Sequence, residues 1–418
     1  MPPVDEWHPS TVADWSDERR RARLRETRPG HGWKTLRHTR LALIRVAALL
    51  MIILVAFAQY WDRDVEPERD RLALTEPALL PIAEPAHPEK RDSAVVDLVG
   101  LGNLNASDTA ASLPALREMG AVWAIRYDNR GIDTEVIADL IIRAAVMSGV
   151  RNIVLTGHSM GGVIALEVAQ HIHIGSDRRL VGVLLDCTPL DLDSVRPESR
   201  GLGEDMVRWM GWLPGARESR GLRTAVETYA RRDSFLDHSG VPGIRFGDFR
   251  SAVGQVLRDK IFNADAASNG LIESQFLAIV AGGATDNLRA VSRPAHGKPR
   301  PAIVFIRPHT ASRDRVVDVA HTQQVLIDNV GGVDGNLLVV KPRGTGHANP
   351  RQRPSEYNKA IAQQVLPFVE RYQARISRIA AAVPARYRHR DGGSAPQSPY
   401  SDRGSEVTAP PRPPAPGR

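Results

Sequence analysis

The sequence predicts an α/β protein, a mostly parallel sheet flanked by helices, with a helical insertion in its second half and one long apolar helix ahead of it. Three observations carry that prediction. Short apolar runs alternate with helical spacings over residues 93–189, the alternation lapses over 190–300, and it resumes over 301–380. Residues 41–61, LALIRVAALLMIILVAFAQYW, approach the ~20 apolar residues that a bilayer core requires. Residues 151–169, RNIVLTGHSMGGVIALEVA, compress a strand, a sharp turn and a helix around one serine.

A chain of 418 residues holds one large α/β domain with insertions or two domains, and 42% apolar content is ordinary for a globular protein. The net charge of +7 does not point to nucleic acid. Much of the excess lies between Arg19 and Arg45, ahead of the apolar run, and no zinc-finger spacing or RNP-like aromatic motif accompanies it. The single cysteine, Cys187, rules out an intramolecular disulfide and any multi-cysteine metal site. It ends an apolar strand-like run and reads as a buried, inert thiol.

Residues 1–40 form a basic segment with RRRARLR at 19–25. Within the span at 41–61, Arg45 lies near one end, where it can snorkel to the headgroups, and Tyr60 and Trp61 suit the opposite interface. Ala56-Phe57-Ala58 is a faint match to a signal cleavage site, but forty polar residues ahead of the span argue for a retained anchor. The flank after it is acidic on balance, with Asp62, Asp64, Glu66, Glu68 and Asp70 against Arg63, Arg69 and Arg71. The positive-inside rule therefore expects a single-pass protein of the cell membrane, N-terminus cytoplasmic and folded domain outside. Residues 62–92, with Pro67, Pro77, Pro81, Pro85 and Pro88, read as an extended spacer.

The sheet domain is expected from residue 93. SAVVDLVGLGN at 93–103 is a strand feeding a glycine turn, and VWAIRYDNRG at 122–131 is a second strand. Val136, Ile137, Leu140, Ile141, Ala144 and Ala145 fall at helical spacing over 132–147. The serine turn follows, then the strand LVGVLLDCTP at 180–189. Residues 190–300 read as a helical cap. Trp209, Trp212, Tyr229, Phe235, Phe246 and Phe249 are expected to pack mainly onto the sheet domain, with some lining an apolar pocket. PAIVFIRP at 301–308 and GNLLVVKP at 335–342 are the last strands, 317–327 and 355–379 are helices, and 381–418 reads as a disordered Pro/Gly/Arg-rich tail.

At the serine turn, Gly157 and Gly161 stand two residues either side of Ser159. Such a turn brings neighbouring Cβ atoms together, and glycine removes the ones that would collide. The helix behind it aims its N–H groups and the positive end of its dipole at the same point. GHSMGG between a buried strand and a helix resembles the α/β-hydrolase superfamily, whose G-x-S-x-G turn is the nucleophile elbow. The resemblance implies the α/β-hydrolase fold, with Ser159 as nucleophile and a base and an acid later in the chain.

The superfamily carries its histidine after the last strand, and Gly344-Thr345-Gly346-His347 occupies that place. His347 is the expected base, with His309, His321 and His296 as rivals. Ser312-Arg313-Asp314-Arg315-Val316-Val317 follows the penultimate strand and is similar to the family's acid segment, which selects Asp314. Asp318 is a weaker rival, and Asp186 is the principal alternative, because some members carry the acid at the end of the preceding strand. The oxyanion donors are expected to be the backbone N–H groups of Met160 and Leu101, with Gly102 as rival to Leu101; the more usual His-Gly pair is replaced by Val99-Gly100. Tyr127-Asp128-Asn129-Arg130-Gly131 resembles the superfamily's Asp-x-Arg-Gly turn and reads as structural.

The resemblance implies a membrane-anchored serine hydrolase acting on a carboxylic ester or thioester, with a lipid-like or envelope substrate favoured by the anchor. No metal or organic cofactor is needed for that chemistry. The same triad also supports acyl transfer and related reactions, and a non-catalytic binding protein on the same fold is the reading from another class. Oligomeric state is not legible in the sequence.

Overall fold

The computed structural model describes residues 17–18, 20–21, 28–237, 243–263, 266–330 and 335–382. Most of the basic segment at 1–40 and nearly all of the tail at 381–418 lie outside the described residues.

The strands are β1 (Ala78–Ala83), β2 (Ser93–Leu98), β3 (Ala121–Arg126), β4 (Asn152–His158), β5 (Arg179–Asp186), the two-residue β6 (Leu236–Asp237) and β7 (Gly243–Ile244), β8 (Ala302–Ile306) and β9 (Leu337–Val340). Seven of them form one sheet in the order β1-β3-β2-β4-β5-β8-β9, while β6 and β7 pair separately within the insertion. Every pairing in the large sheet is parallel except β1 with β3. The central strands are buried on both faces, which is why β4 and β8 read as continuous apolar runs rather than alternating ones. Because β2 lies between β3 and β4, the winding reverses there, and a crevice opens at the carboxyl ends of β2 and β4. Ser159 follows β4 at that crevice.

Three local features depart from the sequence reading. Residues 62–92 are not an extended spacer. The apolar helix Arg28–Tyr60 runs on through a π-helical turn, Trp61–Val65, into Glu66–Ala73, and β1 then adds an edge strand to the sheet before residue 93. Prolines deceive here because of where they fall: Pro67 directly follows a π-helical turn, where the regular ladder of the continuous helix is already interrupted, and Pro81 lies on an edge strand. The insertion also ends earlier than residue 300. Ala284, Leu288 and Val291 on the helix Ala284–Val291 are buried in the core of the sheet domain. Finally, of the six aromatic residues only Phe235 is buried. Trp209, Trp212, Tyr229 and Phe246 are 58–79% exposed, and Phe276 and Ile279 line the cleft instead.

Among the described residues, one continuous helix, Thr39–Ala73, is long and apolar enough to cross a membrane, and its apolar window is unburied. Its far end is built into the insertion. Val65 is fully buried, and the Tyr60 hydroxyl donates to Pro214 O at 3.1 Å. The Asp64 carboxylate accepts from the N–H groups of Arg220 (3.0 Å) and Gly221 (3.1 Å) and from the Ser219 hydroxyl, capping the helix Arg220–Ala230. Glu68, 5% exposed, pairs with Arg71 at 2.6 Å and Arg220 at 2.7 Å. A capping carboxylate of this kind contributes about 1–2 kcal/mol. Asp64→Ala should therefore speed amide exchange across residues 220–230 while leaving exchange in β4 and β5 unchanged, as read by hydrogen–deuterium mass spectrometry.

Candidate active site

Ser159 has φ 55° and ψ −124°, a backbone conformation that L-residues rarely adopt. Holding it there costs on the order of 1–3 kcal/mol. The surroundings enforce it by close approach. A Cβ on Gly157 would lie 2.5 Å from Gly161 O, and one on Gly161 would lie 2.5 Å from Val99 O. The Ser159 N–H donates to Asp186 O at 2.7 Å, pinning the kinked peptide to β5. The helix Met160–Gly175 starts at the next residue, so the Met160 N–H has no carbonyl of its own helix to bond, whereas the Gly162 N–H donates to Ser159 O at 3.0 Å.

The loop after β9 brings His347 over the end of β4. His347 Nε2 lies 2.8 Å from Ser159 Oγ, and Nδ1 lies 2.9 Å from Asp314 Oδ2. Asp314 is fully buried, and its Oδ1 accepts from the N–H groups of Val316 (2.9 Å) and Val317 (2.8 Å). Burial pushes its carboxyl pKa up, but the hydrogen bond and charge of His347, with those two N–H groups, outweigh it and hold the pKa below the ordinary value. A carboxylate fixed on Nδ1 leaves Nε2 as the acceptor facing the serine.

The rival residues lie elsewhere. His321 pairs with Asp191 at 3.2 Å, and His309 and His296 are exposed. Asp318 caps the helix Val319–Val330, accepting from Ala320 N at 3.1 Å. The Asp186 carboxylate is held by His158 and by the Tyr357 hydroxyl, at 2.8 and 3.0 Å. Of the two candidate oxyanion donors in the β2 loop, the Gly102 N–H donates to Gln275 Oε1 at 2.8 Å, which leaves Leu101. The loop presses on the elbow: a Cβ at Gly100 would lie 3.1 Å from Ser159 Cβ. Asp128 turns back to accept from the Arg130 N–H at 2.9 Å and from the Thr75 hydroxyl at 2.6 Å, a loop-shaping arrangement.

Ser159 and His347 open onto a cleft of about 360 Å³ whose apolar walls include Val99, Leu101, Pro189, Phe276, Ile279 and Val316. Donor atoms of Cys187, Asp314 and His347 lie within 4.8 Å of one another. They make a poor metal site, because Asp314 and His347 bond each other and burial drives the Cys187 thiol pKa well up, favouring the non-ligating protonated form.

One cluster has no counterpart in the sequence reading. His158, 5% exposed, lies between two buried carboxylates, with Nδ1 2.8 Å from Asp186 Oδ2 and Nε2 3.0 Å from Asp97 Oδ1. The Asp97 contact is an ion pair without hydrogen-bond alignment. Burial works to lower the imidazole pKa, but the Asp97 charge, with the hydrogen bond and charge of Asp186, overcomes it and raises the pKa to about 10. The sequence shows only that Asp97, His158 and Asp186 each stand near the end of an apolar run; the pairing of β2, β4 and β5 is what brings them together.

A profile of the alpha/beta hydrolase family matches residues 5–360. The chain belongs to the alpha/beta hydrolase family. No curated protein matches it. Among solved structures, this alpha/beta hydrolase is similar to a carboxylesterase of Nitrososphaera gargenis, at 14% identity over 71% of this chain and 95% of that one, TM-score 0.44. It is similar also to a monoacylglycerol lipase of Paleococcus ferrophilus, at 15% identity over 70% and 99%, TM-score 0.42. A bacterial membrane phospholipase A matches at 19% identity over 81% and 99%, TM-score 0.43.

Because the His158 pKa is raised in the folded state, its contribution to stability is complete below the unfolded value near 6.5 and is lost as pH rises toward about 10. Denaturant unfolding should show wild-type stability falling between pH 7 and pH 10. His158→Gln should be less stable at pH 7 and show a shallower fall over the same interval.

Proposed function

We propose that this alpha/beta hydrolase is a membrane-anchored serine hydrolase that cleaves a carboxylic ester or thioester through an acyl-enzyme. The observation that carries the reading is the unbroken line Ser159–His347–Asp314, with contacts of 2.8 and 2.9 Å. His347 Nε2 takes the Ser159 proton as Oγ bonds to the substrate carbonyl carbon. The Met160 and Leu101 N–H groups receive the oxyanion at the helix start. The tetrahedral intermediate then expels the alcohol or thiol, which leaves with the proton held on His347. Water, deprotonated by the same imidazole, attacks the acyl carbonyl carbon; the Oγ–carbonyl bond breaks, Ser159 Oγ takes the proton back from His347, and the acid departs. Asp314 holds the tautomer and stabilises the imidazolium.

The membrane reading is supported by the Thr39–Ala73 helix and by the charge difference across its apolar part. That difference favours a cytoplasmic N-terminus, with the catalytic domain on the far side of the membrane.

Turnover of p-nitrophenyl esters of graded chain length by the full chain in detergent tests the chemistry. Ser159→Ala should reduce kcat to the residue left by binding and oxyanion stabilisation. Asp314→Asn should lower kcat by about ten-thousandfold with little change in KM. Equal rates in wild type and Ser159→Ala would overturn the reading.

A further inference from the structure

The apolar helix meets the insertion beside two exposed tryptophans. Trp209 and Trp212 are 58% and 73% exposed, and their rings stand edge-to-face at 5.8 Å. Their level is set by the chain. Trp212 is two residues before Pro214, whose carbonyl accepts from Tyr60 at 3.1 Å, so its Cα lies within roughly 8 Å of the Pro214 Cα. Tyr60 and Trp61 end the apolar run, at the depth where a bilayer gives way to headgroups. The buried Val65, the Asp64 cap and the Glu68 pairs hold the insertion at that depth.

The helix that carries the tryptophans also walls the cleft. It runs Pro197–Trp212; Ser199 lines the cleft, and Gly203 packs against the ring of Phe276, which lines it too. At 1.5 Å per residue, Trp212 and Ser199 are roughly 20 Å apart along one rigid element. Indole has an apolar body and one N–H donor, the chemistry of the headgroup layer rather than of open water.

We propose that Trp209 and Trp212 insert into the headgroup layer of the bilayer that the Thr39–Ala73 helix crosses, so that the insertion rests on the membrane and the cleft draws its substrate, an acyl ester of a membrane lipid, from that surface. The proposal rests on the anchored-hydrolase reading above and adds the lipid surface as partner and lipid ester as substrate class.

The test uses the full chain in vesicles of phosphatidylcholine and phosphatidylglycerol, comparing wild type with Trp209→Ser/Trp212→Ser. Fatty-acid release from vesicle lipid, turnover of p-nitrophenyl butyrate in detergent, and tryptophan quenching by bromine-labelled lipid chains are read on both. The expected result is about a tenfold fall in lipid release, loss of much of the bromolipid quenching, and an unchanged butyrate rate, which also reports correct folding. Equal lipid release by both proteins would overturn the proposal. So would a fall in release with quenching unchanged, which would assign the rings to a second copy of the chain. A wild type that cleaves butyrate but no vesicle lipid overturns this proposal and leaves the hydrolase reading standing; one that cleaves neither overturns both.

Discussion

A single strained peptide organises this molecule. Ser159 is held at φ 55° between a strand and a helix that meet too closely for any side chain at Gly157, while the end of β2 leaves no room for one at Gly161. The strain is sustained because both arms are deeply buried: β4 lies in the middle of the sheet, and the helix behind it is covered by neighbouring helices. The Ser159 N–H, which no helix bond can satisfy, finds Asp186 O instead. The consequence is a hydroxyl raised out of the sheet edge at the crevice where the winding reverses.

Asp186 does more than anchor that amide. Its side chain holds His158 within the elbow and accepts from the Tyr357 hydroxyl, which in turn accepts from Asn349 N in the loop that carries His347. One buried carboxylate thus ties the serine turn to the histidine loop across nearly 200 residues of sequence. Asp97, on the strand that leads to the Leu101 loop, closes the cluster from the other side. This network places three loops from different strands in fixed relation, which is what a geometry within a few tenths of an ångström demands.

Much of this was legible in the sequence because it rests on local rules. Continuous apolar runs marked the buried parallel strands, and glycine spacing marked the elbow. Chain order singled out His347 and Asp314, and it kept Asp186 in view as an alternative whose burial against His158 no local pattern announces. The errors came where tertiary contact overrides composition. Proline-rich 62–92 became helix and edge strand because Pro67 follows a π-helical turn that already interrupts the helix ladder and Pro81 lies on an edge strand. The insertion's aromatics resisted assignment because burial there depends on partners far away in sequence; Phe276, on a helix packed against the elbow helix, lines the cleft while Trp209 and Trp212 face outward.

The fold therefore joins the Ser159 crevice to an apolar helix through the insertion, and the proposed chemistry rests on the reactivity of one hydroxyl. The most direct measurement is exposure of the full chain in detergent to a fluorophosphonate, followed by proteolysis and tandem mass spectrometry of the modified peptide. One adduct is expected, on Ser159, its formation slowing sharply in His347→Ala and abolished in Ser159→Ala. A folded wild type that takes up no label, or that carries it on another residue, would contradict the proposed chemistry.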